Sequence, residues 1–259
     1  MQRPIPCPRT RWAILKATRK ILLALVFGLF ASPAAASCAD QVFEGATFSV
    51  CTAQAGGDLR MFLNGEDGRP YGGFAPLETA LNAQGQHLVF AMNAGMFQPD
   101  LSPVGLYIED GREQHRIVTR EGPGNFGLLP NGVFCIEQGK LSVVESRAFA
   151  AAPLPCRYAS QSGPMLVIDG ALHPSFLPES TSYKLRNGVG VQEDGGLAWF
   201  VLANTPVTFD RFARFFRDGL GARNALYFDG SISRLYAPNL GRIGASFALG
   251  PMVGLVEGN

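Results

Sequence analysis

The residues of this chain best placed to do chemistry are polar groups that end or open apolar runs. Asp229 closes the run Ala225-Leu-Tyr-Phe228 and is followed by Gly230, Ser231, Ser233 and Arg234. Asn93 closes His87-Leu-Val-Phe-Ala-Met92 and enters a sharp turn that contains Gly95 and Phe97. Ser162-Gly163-Pro164 precedes Met165-Leu-Val-Ile168, which ends on Asp169; Arg186-Asn187 opens a glycine-rich run, and Asn204 ends another. A carboxylate at the end of a buried strand, beside a flexible glycine, presents charge at the mouth of a pocket. There it is a candidate acid, base or nucleophile, with cationic and amide groups nearby as binding partners. Each residue also has a local use. Asp-Gly makes turns, Asn and Ser cap and turn, and an arginine before a strand forms surface ion pairs.

Other chemistries lack their residues. There is no Gly-x-Ser-x-Gly elbow for a serine hydrolase, no phosphate-binding glycine loop and no dinucleotide fingerprint. His87, His115 and His173 are scattered without metal-ligand spacing, and His173 reads as a surface loop residue. No metal site is expected.

Short strands joined by hairpins must carry these groups. Strand patterns fall at 42–51, 59–63, 87–92, 104–108, 114–118, 125–129, 132–137, 140–144, 165–168, 188–192, 197–203 and 225–228. Asp110-Gly111 and Glu193-Asp-Gly-Gly196 are hairpin turns. Residues 76–83 read as a short helix, and the Ala- and Pro-rich stretch 148–155 as a surface connection. The clearest helix runs from an N-cap at Thr208 to a stop at Gly219. Its Phe209, Phe212, Ala213, Phe216 and Leu220 share one face. It leads straight into the strand that carries Asp229. Many hairpins and few helices give an α+β fold, a single domain with a hairpin-rich mixed sheet packed against a few helices.

Residues 1–36 read as a secretory signal peptide, with six basic residues, an apolar stretch Ile21–Phe30 and small residues Ala34-Ala-Ala36. The expected domain is 37–259. Its removal leaves 16 basic against 21 acidic residues, a net charge of −5. An acidic chain without basic runs is no nucleic-acid binder, and no later segment is apolar enough for a membrane span. The expected location is periplasmic or secreted. Cys38, Cys51, Cys135 and Cys156 remain. In an exported chain they form two disulfides, and proximity favours Cys38–Cys51 and Cys135–Cys156.

Taken together, Met92-Asn-Ala-Gly-Met-Phe97, Pro103-Val-Gly-Leu-Tyr-Ile-Glu-Asp-Gly111, Ser162–Gly170, Arg186-Asn-Gly-Val-Gly190 and Asn224-Ala-Leu-Tyr-Phe-Asp-Gly230 resemble the phosphodiester glycosidase family, in a bacterial exported subgroup. The likeness covers nearly everything after residue 43. One departure is Asp229-Gly-Ser-Ile-Ser233, where many members carry Asp-Gly-Gly-Gly-Ser. The resemblance implies hydrolysis of the glycosidic bond of a sugar-1-phosphate diester, in cell-envelope or exopolysaccharide metabolism. A phosphate leaves as a stable anion, so one carboxylate at the anomeric carbon suffices, together with donors for the phosphate. Asp229 takes the first role, Arg186 the second, and Asn93 with the backbone at Gly95 binds substrate oxygens. Phe97, Ser162, Gly163, Asp169, Asn187, Asn204, Ser231 and Ser233 complete the expected binding surface, with Asp169 and Glu109 as reserve carboxylates. The partner is a glycan or sugar phosphate. No organic cofactor is expected, and a divalent cation beside the phosphate is left open. The rival readings are a non-catalytic glycan-binding or polysaccharide-assembly factor and a metal-dependent phosphodiesterase.

Overall fold

The computed structural model describes residues 1–3, 38–244 and 248–258. The expected signal peptide and its cleavage site therefore lie outside the described residues. From Cys38 onward the strands are β1 (Cys38–Phe43), β2 (Ala46–Gln54), β3 (Asp58–Phe62), β4 (Gln86–Asn93), β5 (Tyr107–Glu109), β6 (Arg112–His115), β7 (Gly132–Glu137) and β8 (Lys140–Glu145). They continue as β9 (Tyr158–Ser162), β10 (Met165–Ile168), β11 (Ala171–Leu172), β12 (Asn187–Val191), β13 (Leu197–Ala203), β14 (Asn224–Asp229), β15 (Leu235–Tyr236) and β16 (Met252–Gly258). The helices are α1 (Phe74–Asn82), α2 (Ser146–Ala151) and α3 (Phe209–Arg214).

Three antiparallel sheets form, in the orders β1-β2-β13-β12-β14-β10-β11, β15-β4-β16-β3 and β6-β5-β9-β7-β8. Strand alternation sorts their side chains onto two faces. Phe200, Leu226, Phe228, Phe90, Val253 and Phe134 all enter one central core shared by the three sheets. The alternate residues face outward and are covered. Val201, Ala225 and Tyr227 pack under α3, Leu88 and Met252 under α1, and Val133 and Cys135 under α2. The α+β single domain is as expected.

Four local expectations differ. The stretch 42–51 is not one strand, because a turn at Glu44-Gly45, both at positive φ, splits it into the β1–β2 hairpin. The stretch 148–155 is not all connection, because α2 occupies its first half. Glu145 caps that helix by accepting from the Ala148 N–H at 2.8 Å, alanine favours helix, and proline begins only at Pro153. Residues 125–129 are not a strand. Their backbone groups are taken within the loop, where Gly122 N–H meets the Gly127 carbonyl, and by Asn131 Nδ2, which donates to the Phe126 carbonyl at 2.8 Å. The helix that starts on Thr208 is α-helical only to Arg214 and then widens to a π-helical turn, Phe215–Gly219. That widening keeps Phe212, Phe215 and Phe216 all buried.

The disulfides are Cys38–Cys51, which joins β1 to β2, and Cys135–Cys156, which ties β7 to the approach to β9. Both pairings agree with the sequence reading.

Candidate functional site

Asp229 stands where β14 ends. Its Oδ1 accepts from the backbone N–H groups of Gly230 (2.6 Å), Ser231 (2.9 Å) and Ile232 (3.5 Å). These donors fix the carboxylate on its own loop, and among the described residues Oδ2 has no partner. Burial raises the Asp229 pKa above the ordinary aspartate value, and the three N–H donors oppose that rise.

Two buried amides hold the loop. Asn187, at the start of β12, accepts the Asp229 N–H on Oδ1 at 3.0 Å. Its Nδ2 donates to the backbone oxygen and to Oδ1 of Asn93, each at 3.0 Å. Asn93 ends β4 in another sheet, and its Oδ1 accepts the Arg234 N–H at 2.9 Å. The Ser233 hydroxyl lies 2.9 Å from the Asp229 carbonyl and 3.3 Å from Asn187 Oδ1. Asn93 and Asn187 are both fully enclosed. They clamp two sheets and the 229–234 loop together, and their amides are used up in doing so. Asn93 is therefore enclosed between the sheets with its oxygen engaged, where an accessible group was expected.

Ser162 is also internal, donating to the Phe228 carbonyl at 2.8 Å. Gly95 and Gly163 serve close packing. A Cβ on Gly95 would lie 2.6 Å from Ser160 Oγ, and one on Gly163 would lie 2.6 Å from the Asn131 Cβ. Phe97 rests against the backbone of Gly250. Ser231 is exposed on the loop, and Asn204 follows the end of β13, an interior strand of the sheet that also carries Asp229.

Arg186 departs from expectation. It is 1% exposed, with its guanidinium 3.6 Å from the centre of the Phe209 ring. Its Nε donates to the Val207 carbonyl at 2.9 Å and Nη2 to the Ser182 carbonyl at 3.0 Å. No carboxylate among the described residues pairs with it. Burial lowers its pKa. Arg186 and Asn187 are sequence neighbours, so alternation sends them to opposite faces. Asn187 faces Asn93, while Arg186 joins Tyr227 and Phe209 under the helical layer. Enclosed in this way, Arg186 is engaged by backbone carbonyls, and the Tyr227 hydroxyl, which sits against Gly230, stands between it and the Asp229 loop.

The reserve carboxylates lie elsewhere. Asp169 sits in the β10–β11 turn, 76% exposed, with Arg223 Nε at 3.6 Å. Its N–H bonds Asn224, which starts β14, so the length of that strand separates it from Asp229. Glu109 lies at the Tyr158 end of β9, whereas the Ser162 end adjoins Phe228. His173 is buried and stacked on Phe176 at 4.8 Å, not on the surface.

Two arginines near the site had no role in the sequence reading. Arg234 carried a positional signal, since it follows Ser233 directly. Arg242 carried none. It reaches the site through the Ala237–Arg242 bridge, and its Nη2 donates to Asn204 Oδ1 at 2.7 Å. Among the described residues no group of three His, Cys, Asp or Glu side chains could hold a metal ion.

A family model described as phosphodiester glycosidase matches residues 86–244, from β4 to just past Arg242. The uncharacterized protein YigE of Escherichia coli (strain K12) is 35% identical over 178 residues, which is 69% of each chain. Among solved structures, the zebrafish N-acetylglucosamine-1-phosphodiester alpha-N-acetylglucosaminidase catalytic domain, auto-inhibited by its pro-peptide, is similar with a TM-score of 0.57 at 14% identity. That match covers 84% of this chain and 81% of the other. At such identity the likeness is one of fold.

Proposed function

The chain belongs to the phosphodiester glycosidase family, and from that premise we propose that it is a hydrolase cleaving the glycosidic C–O bond of a sugar-1-phosphate diester. The observation that carries this reading is Asp229, with one carboxylate oxygen pinned by backbone donors and the other uncommitted. A carboxylate of that kind meets an anomeric carbon without losing its orientation. As the C1–O bond breaks, its electron pair passes to the phosphate oxygen. Asp229 Oδ2 bonds to C1 or neutralises its developing positive charge. Water then attacks C1, displacing Asp229 Oδ2 as carboxylate where that oxygen has bonded, supplies the hydroxyl of the free sugar and gives up one proton to solvent. The phosphate leaves as an anion, so a second carboxyl group as proton donor is not needed.

The departure from a run of glycines at 231–232 leaves this arrangement in place. Ser231 still donates its N–H to Asp229, and Ile232 packs against the cluster under α1. The reading includes export and action on an envelope glycan. Two disulfides are compatible with a location outside the cytoplasm, and among the described residues no helix is long and apolar enough to cross a membrane.

The test is product analysis with a sugar-1-phosphate diester, such as UDP-N-acetylglucosamine, in heavy-oxygen water. Label in the free sugar is expected. Label in the phosphate would mean P–O cleavage and a different enzyme class. Binding of glycan without turnover, unchanged in Asp229→Asn, would make the protein a glycan-binding factor.

A further inference from the structure

A cavity of about 350 Å³ opens beside the Asp229 loop. Its polar lining is Ser233, Arg234, Asn204 and Arg242, and Leu185 and Leu202 form part of its apolar wall. Among the described residues no carboxylate lines it. Ser233, whose hydroxyl meets the Asp229 carbonyl, lies on its wall, so the cavity borders the 229–234 loop.

Both arginines stand on fixed backbone. The Arg234 N–H is held by Asn93 Oδ1, and its Nη1 donates to the Ser233 carbonyl at 2.8 Å. The Arg242 backbone exchanges two hydrogen bonds with Ala237. The Arg242 side chain is aimed by Asn204 Oδ1. Asn204 is oriented in turn by Asp40, whose Oδ1 accepts from Asn204 Nδ2 at 3.3 Å and from Ser49 Oγ at 2.6 Å. The amide thus turns its oxygen toward Arg242. Two guanidinium groups on anchored supports, with an apolar wall and no acid, form a receptor for a phosphoryl group that carries a carbon chain.

We propose that this cavity is the leaving-group subsite, in which Arg234 and Arg242 hold the phosphate of the diester and Leu185 and Leu202 face the aglycone. The inference rests on the reading of Asp229 given above and assigns to these two residues the part that the sequence reading gave to Arg186. The sugar then lies on the Asp229 side of Ser233. A substrate whose leaving group is a phosphate is preferred over one with an uncharged leaving group.

The experiment measures inorganic phosphate binding by calorimetry at low salt for the wild type, Arg234→Gln, Arg242→Gln, Arg242→Lys and Asp229→Asn. Each glutamine variant is expected to weaken binding by about 10- to 100-fold, the worth of one charge-assisted contact. Arg242→Lys restores part of the loss, and Asp229→Asn keeps the wild-type affinity or improves it. Phosphate that binds all five proteins equally, or none of them, overturns the assignment. If Arg242→Gln is unfolded by circular dichroism, Arg234→Gln and Arg242→Lys still decide. The two readings fail separately. If heavy oxygen enters the phosphate, or nothing turns over, the C–O cleavage reading falls. Phosphate binding that still depends on both arginines keeps the subsite.

Discussion

Asn187 carries more of the candidate site than any other side chain. It receives the Asp229 N–H, reaches the Ser233 hydroxyl and donates twice to Asn93. Asn187→Ala strands these partners in a fully buried place, which costs about 3 kcal/mol by the usual penalty for unsatisfied buried groups. Urea unfolding is expected to show that loss, and turnover should fall with it because the loop loses its support. Asp229→Asn should behave differently, keeping normal stability while kcat drops roughly 10³-fold, the scale of a positioned reacting group. Paired unfolding and kinetic measurements separate the two. At this scale the sequence was a partial guide. The types and strand-end positions of Asp229, Asn93, Asn187 and Ser233 singled out residues that the fold brings into contact, because a run of apolar residues ending in a polar one is a local signal. Whether a group faces outward or inward depends on partners from remote segments. That is why Asn93 and Arg186 read as substrate contacts and are enclosed in the structure, and why Arg242 carried no signal.

Between residues and the whole fold, the fit of strand to helix is set by small residues. β12 runs Asn-Gly-Val-Gly-Val, and a Cβ on Gly190 would lie 2.6 Å from the Phe216 ring and 3.0 Å from the Ala222 Cβ. The π-helical turn is pressed against this strand, so Gly190→Ala forces the aromatic layer outward. The expected cost is about 1–3 kcal/mol. Denaturant midpoints measure it, and Phe216→Leu in the same chain should recover part of the loss. The β5–β6 hairpin gives a second test. Burial pushes the Glu109 pKa from 4.5 up to about 7, although Tyr107 and Gln114 donate to the carboxylate. The folded protein thus holds this proton more tightly than the unfolded chain does. Stability from this group is complete below the unfolded pKa and is lost as pH rises toward about 7. Thermal melts at about pH 5 and about pH 8 should differ less in Glu109→Gln than in the wild type. Element types were legible wherever periodicity or caps were strong, as at Thr208, whose Oγ1 does accept the Arg211 N–H at 3.2 Å. The conversion of that helix to a π turn was not legible, since it answers to the need to bury three phenylalanines against a sheet.

On the scale of the molecule, three sheets share one core and each has its own covering helix. The disulfide pairing was readable because it is short-range, whereas the β1–β2 hairpin was not, its turn at Glu44-Gly45 lying inside a run read as one strand. The partition into three sheets was not, because pairings such as β2 with β13 and β4 with β16 join segments far apart in sequence. The placing of β16 has a consequence in time. It follows every other strand in chain order, yet it lies between β4 and β3 and sends Val253 and Leu255 into the common core. Long-range antiparallel pairing of this kind is slow to form. A chain delivered from its N-terminus must therefore wait, with one sheet split open and apolar surface exposed, until its final strand arrives. A protein truncated before Met252 is expected to remain unfolded by circular dichroism and protease digestion, whereas one lacking only the two exposed residues 257–258 should fold. Until β16 pairs, β3 and β4 each present an open edge, so the arrival of this one strand sets the moment at which the sheet can close.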